Sequence, residues 1–337
     1  MRAIGYTQSL PIDDPQSLVD LDLPKPEATG RDLLVAVKAV SVNPVDTKIR
    51  QRRADPDGTP QVLGWDAAGT VVALGDAVTG FAVGDAVFYA GAIDRPGTNA
   101  EYHVVDDRIV GHKPQSLDWA QAAAMPLTSI TAWETLFDRL DVRKPVPGAA
   151  NAILIIGGAG GVGSIAIQLA RQLTDLTVIA TASRDETRSW VEDLGAHHVI
   201  DHRKPLADQV AALGLGVPGF VFSTTHTDEH VAEIATLIAP QGRLALIDDP
   251  ETLDISPLKQ KSISIHWELM YTRSLFQTAD MAEQGRILDE VARLVDAGTV
   301  RTTLAENFGR IDAANLRKAH ARIESHTAKG KIVLEGF

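Results

Sequence analysis

A glycine-rich turn near the middle of the chain constrains the fold more than any other stretch. Residues 153–170 read ILIIGGAGGVGSIAIQLA, an apolar strand-like run that enters a turn and continues into an apolar segment with helical spacing. Gly158, Gly160 and Gly163 stand in the GxGxxG register between that strand and that helix. This context distinguishes a dinucleotide phosphate site from an ordinary glycine-rich turn.

Each glycine of this motif has a separate physical task. Gly158 permits the tight turn, Gly160 lets a pyrophosphate approach the backbone, and Gly163 lets the helix pack closely on the strand. The helix N-terminus faces the phosphates, where its backbone N–H groups favour negative charge. We therefore expect a dinucleotide to be held by the whole turn, which comprises Gly158, Ala159, Gly160, Gly161, Val162 and Gly163.

The region around the turn alternates between strand-like and helix-like segments. Apolar runs at 153–156, 178–181, 199–200, 220–222, 244–247 and 263–266 alternate with helical patterns such as 164–173, 186–194 and 230–238. Strands covered by helices on both faces predict a parallel sheet with right-handed crossovers. Six such strands match the doubly wound dinucleotide-binding fold, so the fold class is α/β.

The first third and the tail of the chain have a different pattern. Runs at 31–42, 70–74, 86–89 and 100–105 are separated by turn signals, which predicts a mostly β domain. Pro126 divides two predicted helices in the stretch after residue 117. Helices at 279–297 and 313–325 lead to a closing strand at 331–335, which we expect to pack back on the first domain.

Composition excludes several classes of function. Acidic residues outnumber basic ones by 44 to 32, a net charge of −12, which argues against a general nucleic-acid or anionic-membrane binder. Cysteine is absent, which rules out disulfides and thiolate zinc sites. No run approaches the roughly 18 apolar residues of a membrane span, and the N-terminus lacks the apolar core of a signal peptide. We expect a cytoplasmic protein.

The residues after the second strand of the α/β region predict which dinucleotide is used. An Asp or Glu about 20 residues beyond the glycines binds a free ribose 2′-hydroxyl in such folds. Here the segment is ATASR, where Ser183 and Arg184 replace the carboxylate. A guanidinium pairs well with a 2′-phosphate, so NADP(H) is favoured. The alternative is that Ser183 only caps the helix beginning near Asp185 and that Arg184 is solvated.

Several segments resemble the medium-chain dehydrogenase/reductase superfamily, in particular its quinone oxidoreductase branch and its zinc-type alcohol dehydrogenase-like group. The matching pieces are SVNPVDTKIR at 41–50, GWDAAGTVVALG at 64–75, FAVGDAVF at 81–88, AGGVG at 159–163 and GKIVLE at 330–335. The resemblance implies a GroES-like catalytic domain from residues 1–126 and 272–337, with a Rossmann NADP(H)-binding domain at 127–271.

The departures from that family concern metal binding. Zinc alcohol dehydrogenases of the superfamily take a Cys from the first motif and a His from a GHE motif. Here these positions fall in the segment 41–43 and on Trp65. With both ligands replaced and no Cys in the chain, we expect neither a catalytic nor a structural zinc. The His226/His230 and His198/His202 pairs lack the HExxH pattern, so we expect no metal there either.

The same resemblance implies candidate catalytic residues. Without a metal, hydrogen-bond donors must stabilise the oxyanion that forms as hydride reaches an unsaturated carbonyl. Asn43 matches the active-site Asn of quinone reductases, although it could instead only shape the turn before Pro44. Asp46 matches a neighbouring motif position, with a helix N-cap as its alternative. Lys48 stands where these reductases carry Tyr, and its ammonium could polarise the carbonyl or deliver a proton. The alternative is a solvated helix residue, with solvent as the proton donor.

Further cofactor contacts follow from the same comparison and from chain position. Thr131 matches a superfamily Thr beside the nicotinamide, and Thr128 lies one turn earlier. His202 stands where related reductases carry a Tyr near the adenosine phosphate, and its protonation would strengthen phosphate pairing. Thr225 follows the fourth strand of the α/β sheet, at the edge where such folds bind ligands. Lys331 resembles a Lys that reaches the cofactor in related reductases.

The sequence therefore predicts a zinc-independent, NADPH-dependent reductase of quinones or α,β-unsaturated carbonyls. Two alternatives remain open, a zinc-dependent alcohol dehydrogenase and a non-enzymatic NADPH-binding protein. We expect small-molecule substrates, and neither nucleic acid nor a membrane as a partner. A homodimer is predicted because the sixth α/β strand, at 262–266, would leave an unpaired sheet edge.

Overall fold

The computed structural model describes residues 1–53 and 57–337. The chain divides into two compact units. The first, here called the terminal unit, combines Met1–Ile130 with Tyr271–Phe337, and the second, the central unit, is Thr131–Met270.

The N-terminal part of the terminal unit consists mostly of strands. They are β1 (Arg2–Tyr6), β2 (Val19–Asp22), β3 (Asp32–Val42), β4 (Gln61–Val62), β5 (Ala67–Leu74), β6 (Ala86–Tyr89), β7 (Tyr102–Asp106) and β8 (Val110–His112). The helices are α1 (Pro44–Arg52), α2 (Trp119–Ala123) and α3 (Pro126–Trp133), with a 3-10 turn at Asp107–Ile109. Helices α2 and α3 meet at Pro126, as predicted, because proline has no N–H to donate within a continuing helix.

The central unit is built on a parallel sheet. Its strands are β9 (Ala150–Ile156), β10 (Thr177–Thr181), β11 (His198–Ile200), β12 (Pro218–Ser223), β13 (Arg243–Leu246) and β14 (Ser264–Trp267). The helices are α4 (Gly161–Leu173), α5 (Asp185–Asp193), α6 (Leu206–Ala212) and α7 (Thr227–Leu237), besides a π-helical stretch at Glu134–Arg139 and a 3-10 helix at Ser256–Lys261. The spatial order β11-β10-β9-β12-β13-β14 confirms the predicted doubly wound dinucleotide fold.

The strands of the central sheet form because they are nearly continuous apolar runs. In β9, β10 and β12 almost every residue is buried, which is the pattern of a parallel strand covered on both faces. Leu154, Ile179, Val221 and Leu244 come from neighbouring strands and meet in one core beneath the helices. The carboxyl ends of these strands therefore lie at one edge, where the glycine turn and the loops after β10, β11 and β12 are found.

The tail of the chain completes the terminal unit. It contains α8 (Thr272–Leu275), α9 (Glu283–Asp296), β15 (Leu304–Asn307), α10 (Ala313–Glu324) and β16 (Lys331–Glu335). Strand β16 pairs antiparallel with β3, with Ile332 opposite Val42 and Glu335 opposite Ala39, which confirms that the closing strand returns to the first domain. The main sheet has the order β15-β16-β3-β5-β6-β8, with β7 also on β3, and β2-β1-β4 form a smaller sheet.

Helix lengths are short throughout the described ranges 1–53 and 57–337. None of the helices there combines the length and apolar character needed to cross a bilayer.

Candidate functional site

The glycine turn, defined here as residues 157–163, connects β9 to α4. Gly157 has a φ of 81°, in the left-handed region, and its N–H donates to Thr181 Oγ1 at 2.9 Å. Gly158 N donates to the carbonyl oxygen of Thr181 at 3.1 Å, which fixes the turn to the end of β10. Gly160 is the N-cap residue of α4. The first N–H groups of a thirteen-residue helix therefore open onto this edge of the sheet.

The protein excludes a side chain at two of the three motif glycines and leaves space at the third. A Cβ on Gly163 would lie 2.3 Å from the carbonyl oxygen of Gly157, so helix and turn could not pack as they do. On Gly158 it would lie 2.9 Å from Cβ of Ala180. On Gly160 the nearest atom would be 3.5 Å away, so the protein itself leaves room there. This arrangement is the one that an approaching pyrophosphate needs.

One role in the turn differs from the prediction. Gly157, which the GxGxxG register does not include, adopts the left-handed conformation that glycine favours, and Gly158 does not. A Cβ on Gly157 would also lie 2.2 Å from Thr224 Oγ1. The tight turn thus depends on Gly157, and Gly158 is needed for its contact with β10.

The loops after β10 and β11 bring two arginines to one place. Ser183 is partly buried and Arg184 is exposed, and Arg184, rather than Ser183, is the N-cap residue of α5. Arg203 Nη2 donates to the carbonyl oxygen of Ser183 at 2.7 Å. Its guanidinium also pairs with Asp201 through Nε at 3.0 Å and Nη2 at 2.8 Å. Sequence reasoning missed Arg203, because its proximity to Ser183 depends on β11 lying beside β10.

The predicted contacts His202 and Thr225 lie at the same edge of the central sheet. Burial, with repulsion from His230, lowers the pKa of His202, although Asp201 opposes the shift. The lowered pKa disfavours the protonated imidazole whose charge would strengthen pairing with a phosphate. Thr225 Oγ1 lies 2.6 Å from Nδ1 of His226, a residue with a φ of 51°.

The two threonines of α3 are both buried and fall in different units. Thr128 belongs to the terminal unit, and its Oγ1 donates to the carbonyl oxygen of Met125 at 3.2 Å. Thr131 belongs to the central unit, and its carbonyl oxygen accepts from Thr135 Oγ1 at 2.7 Å.

The terminal unit contains a buried group of polar side chains, here called the polar network, made of Asn43, Asp46, Asp66 and Lys331. None of the four is more than 3% exposed. Asn43 Nδ2 donates to Asp66 Oδ2 at 2.8 Å, and the Lys331 ammonium lies 3.1 Å from the same oxygen. Lys331 also donates to Asn43 Oδ1 and to the carbonyl oxygen of Val42.

Helix α1 begins at this network. Asn43 is its N-cap residue, and Asp46, the third residue of the helix, accepts from Asn43 N at 2.7 Å. The backbone N–H of Leu127 donates to Asp66 Oδ1 at 2.8 Å. Asp46 is therefore not the N-cap itself but reaches back to it, which fixes the loop that carries Asn43.

The electrostatics of the network follow from burying two carboxyls beside one ammonium. Burial raises the pKa of Asp46 to about 7, with Asp66 adding to the shift and the Asn43 N–H and Lys331 opposing it. Burial also raises the pKa of Asp66, against the attraction of Lys331. Lys331 thus balances charge inside the terminal unit, where its ammonium is bonded to Asp66, Asn43 and Val42.

The residues at the family's zinc positions do not suit a metal. Asn43 has its amide oxygen bonded to Lys331 and its nitrogen bonded to Asp66. Trp65 has only an N–H, which donates to the carbonyl oxygen of Ala92 at 3.1 Å, and an indole N–H offers no lone pair to a cation. Across the described residues, no group of three or more His, Asp or Glu side chains has the arrangement of a metal site.

None of the hydrogen bonds described above joins Lys48 to the polar network. It sits on α1, two residues after Asp46, and is partly buried. The network instead includes Asp66, which sequence reasoning did not single out. Its position inside the matched GWDAAG segment, beside Trp65, was the available signal.

Comparison with known proteins agrees with this fold. Residues 29–115 match the alcohol dehydrogenase GroES-like domain, and residues 194–334 match the zinc-binding dehydrogenase family. A zinc-type alcohol dehydrogenase-like protein of Staphylococcus aureus is 38% identical over 99% of both chains. A 2-methylene-furan-3-one reductase of Solanum lycopersicum is 35% identical over 60% of this chain and 53% of its own.

Solved structures extend the comparison. A Rhizobium etli CFN 42 protein, provisionally described as a zinc-dependent alcohol dehydrogenase, is 67% identical with a TM-score of 0.98, over 100% of this chain and 98% of its own. A mycobacterial protein complexed with NADPH is 26% identical with a TM-score of 0.82 over both full chains. The quinone oxidoreductase of Coxiella burnetii is 26% identical with a TM-score of 0.80, over 100% of this chain and 99% of its own.

A Rossmann sheet with a glycine turn after its first strand, joined in one chain to a GroES-like unit, is typical of nicotinamide-dependent oxidoreductases. The chain belongs to the medium-chain dehydrogenase/reductase superfamily, in the family of zinc-type alcohol dehydrogenase-like proteins.

Proposed function

We propose that this protein is a zinc-independent, NADPH-dependent reductase of quinones or α,β-unsaturated carbonyls. The observation that carries the proposal is the identity of the residues at the positions where zinc-containing relatives have their metal ligands. The indole of Trp65 offers a cation no lone pair. The amide oxygen of Asn43 accepts from the ammonium of Lys331, so a second cation there would be repelled. Charge that develops on a substrate oxygen must therefore be met by hydrogen-bond donors, which can replace a Lewis acid when they are held in place.

The preference for NADPH over NADH rests on the loop after β10. No carboxylate stands at 181–184, the segment that would bind a free 2′-hydroxyl. Arg184 is exposed there, and Arg203 is fixed beside Ser183. The guanidinium of Arg184, with Arg203 beside it in a pair with Asp201, suits a 2′-phosphate dianion. The NADPH complex of the mycobacterial relative supports the same choice.

When bound, the dihydronicotinamide supplies a hydride to the substrate. Asn43 provides the hydrogen bond to the substrate oxygen. One hydrogen of its amide nitrogen is used by Asp66, whereas the other has only a 3.5 Å contact with the carbonyl oxygen of Ser41. Lys331 polarises the amide through Oδ1, which strengthens the remaining N–H as a donor. Asp46 holds the Asn43 backbone, and Lys48 or water supplies the proton.

The cofactor contacts come from the central unit and from α3. The glycine turn would hold the pyrophosphate, and the remaining candidates lie at the loops after the strands or on α3, namely Thr128, Thr131, Ser183, Arg184, His202 and Thr225. Lys331 was also a cofactor candidate, and its burial in the polar network gives it the charge-balancing role instead.

The substrate class is supported by the relatives. The tomato reductase acts on an enone by its name, and the Coxiella relative is a quinone oxidoreductase. Both substrate types are conjugated carbonyls, in which hydride addition places negative charge on oxygen. A site that stabilises this oxygen with N–H donors serves both.

The proposal is tested by following NADPH oxidation over a panel of quinones, enones and alkenals. We expect turnover with at least one class, a higher kcat/KM with NADPH than with NADH, and a loss of about 100-fold in kcat/KM on Asn43→Ala. Thermal unfolding of the variant must be measured in parallel, because Asn43 also belongs to the buried network. Tight NADPH binding without turnover of any acceptor would favour a non-enzymatic NADPH-binding protein.

A zinc-dependent alcohol dehydrogenase is the second candidate, favoured by the description of the Rhizobium etli relative. Metal analysis of the purified protein and ethanol oxidation before and after chelation separate the two. Stoichiometric zinc whose removal abolishes activity would contradict our proposal. Unchanged enone or quinone reduction after chelation would support it.

We also propose that the protein is a homodimer joined at β14. This strand is at the end of the central sheet's order, so one side of its backbone has no neighbouring strand within the range 131–270. Trp267, at its end, is 55% exposed. Pairing two such edges would satisfy the backbone groups and cover the indole. Light scattering that gives only a monomer mass would contradict this arrangement.

A further inference from the structure

Tyr271 carries a buried hydroxyl that the hydrogen bonding of the protein does not use. The residue immediately precedes α8 in the terminal unit and is 2% exposed. Its hydroxyl has no hydrogen-bond partner among the described residues and is shielded from water. Burying an unsatisfied hydroxyl costs free energy, so such a group calls for an explanation. One explanation is a ligand that supplies the missing acceptor.

The hydroxyl lies beside the residues that define the candidate active site. The Tyr271 ring contacts Trp65 edge to face, with centroids 6.4 Å apart and planes at 74°. Trp65 occupies the position where zinc-containing relatives carry a histidine ligand. The carboxyls of Asp46 and Asp66, which hold Asn43, are close enough to act electrostatically on the phenol. Tyr271 is thus placed among the groups that surround Asn43.

The neighbouring carboxyls of Asp46 and Asp66 accept no hydrogen bond from the phenol of Tyr271. Asp66 Oδ1 accepts from Leu127 N, and Asp66 Oδ2 accepts from Asn43 and lies against Lys331. Asp46 Oδ2 accepts from Asn43 N. These bonds commit the carboxyls to the polar network. The O–H of Tyr271 is therefore left for a different acceptor.

We propose that the hydroxyl of Tyr271 donates a hydrogen bond to the carbonyl oxygen of the substrate, so that Tyr271 and Asn43 together replace the metal of zinc-dependent relatives. This assignment rests on the proposed reductase function. Tyr271 also supplies the phenol that the segment 41–50 lacks, since Lys48 stands there at the position where quinone reductases carry Tyr. The substrate class is a quinone or enone whose oxygen gains negative charge.

The charge state of the phenol suits this task. Burial, with the carboxyls of Asp46 and Asp66, holds the pKa of Tyr271 well above its usual value, so the group stays protonated at neutral pH. A neutral O–H stabilises a developing oxyanion without first losing its proton. The hydrogen bond moves no electrons: NADPH supplies the hydride, water supplies the proton, and NADP⁺ and the reduced carbonyl compound are formed.

The test is Tyr271→Phe, which removes the oxygen and keeps the ring against Trp65. We expect kcat/KM for the best acceptor to fall about 100-fold, with the NADPH dissociation constant unchanged. The melting temperature should stay the same or rise, because the variant no longer buries an unsatisfied hydroxyl. Loss of activity without loss of stability is a result that a purely structural tyrosine would not give.

Tyr89→Phe is the matched control. Tyr89 is equally buried in the terminal unit, but its hydroxyl lies 3.2 Å from Nδ1 of His103. This variant should lower the melting temperature and leave kcat/KM unchanged, the opposite pattern. A Tyr271→Phe enzyme that keeps kcat/KM within twofold of the wild type would overturn the assignment.

A binding experiment separates this inference from the proposed function. Calorimetry with the unreactive ketone cyclohexanone, in the presence of NADP⁺, should show binding to the wild type and at least tenfold weaker binding to Tyr271→Phe. Equal affinities, or no binding to the wild type, would overturn the role of Tyr271. A wild type that turns over no acceptor but shows this difference would contradict the reductase proposal alone.

Discussion

The glycine turn and the polar network are built in opposite ways. The turn belongs to seven consecutive residues and acts through backbone geometry, with Gly157 in the left-handed region and Gly160 capping α4. The network joins side chains from distant parts of the chain, since Lys331 bonds to Asn43 across 288 positions. The turn is therefore a local structure, and the network exists only once β16 pairs with β3.

This difference predicts how each region fails when it is changed. The glycine turn is sensitive to added volume, because a Cβ there would clash with a neighbouring backbone atom or with the ligand. A network of buried charges is sensitive to lost charge, because each remaining group keeps its desolvation cost without its partner. Substitutions in the two regions should thus affect different measurable quantities.

The largest effect is expected for Lys331→Met, which keeps the volume of the side chain and removes its charge. Asp46 and Asp66 then remain buried without a cation, so the free energy of unfolding should fall by about 3–5 kcal/mol. Urea denaturation measures the change. The exposed Lys38→Met should change it by less than about 0.5 kcal/mol. In an Asp66→Asn background the loss should shrink, and an undiminished loss there would refute the pairing.

A smaller effect is expected in the glycine turn, where two variants separate folding from binding. Gly163→Ala places a methyl group 2.3 Å from a backbone oxygen and should lower stability by about 1–3 kcal/mol. Gly160→Ala meets its nearest atom at 3.5 Å, so stability should be unchanged while the NADPH dissociation constant rises about tenfold or more. Calorimetric titration and thermal unfolding distinguish them. Equal behaviour of the two variants would mean that the pyrophosphate does not approach Gly160.

The polar network should also make stability depend on pH. The pKa of Asp46 is about 7 in the folded protein and near its ordinary acidic value in the unfolded chain. Between these values the folded state binds more protons at Asp46, so the Asp46 contribution to stability falls as pH rises from about 4 to about 7. Relative to the wild type, Asp46→Asn should therefore gain stability as pH rises through this range in urea unfolding, and the exposed Asp76→Asn should not. The same pH dependence for Asp46→Asn and the wild type would contradict the raised pKa of Asp46.

The smallest effect is expected for cofactor selectivity, because the two arginines lie near the surface. Arg184→Ala and Arg203→Ala should each lower the ratio of kcat/KM for NADPH to that for NADH by about tenfold. Arg188→Ala is the control, since Arg188 donates to the carbonyl oxygen of Val199 and supports the fold. Steady-state kinetics with both cofactors give the ratio. Equal losses with NADPH and NADH would remove the basis for a 2′-phosphate site.

The sequence predicted the central sheet well because its strands are locally encoded. Continuous apolar runs predicted all of β9 to β14 within a few residues, and their alternation with helices predicted a doubly wound parallel sheet. Gly157 was missed because a positive φ depends on where the turn joins β10, and not on the GxGxxG register.

The candidate site was predicted only in part, because its residues are far apart in the sequence and come together only on folding. Asn43, Asp46 and Lys331 were named from family motifs, but the sequence did not show that they form one group with Asp66. Lys331 was assigned to the cofactor because a lysine on a terminal strand has no visible partner until that strand is placed beside β3. Tyr271 lies outside every matched motif, so its position next to Trp65 could not be read from the sequence.

The sequence by itself determined the glycine turn, the absence of cysteine ligands, and the replacement of an acidic residue by Ser183 and Arg184. These features are contiguous or compositional, and local backbone geometry suffices to interpret them. Only the tertiary structure decided that Lys331 lies between two buried carboxyls and that the Tyr271 hydroxyl has no partner among residues 1–53 and 57–337. Burial and pairing are properties of residues brought together by folding, and they set the charge and hydrogen bonding on which the chemistry depends.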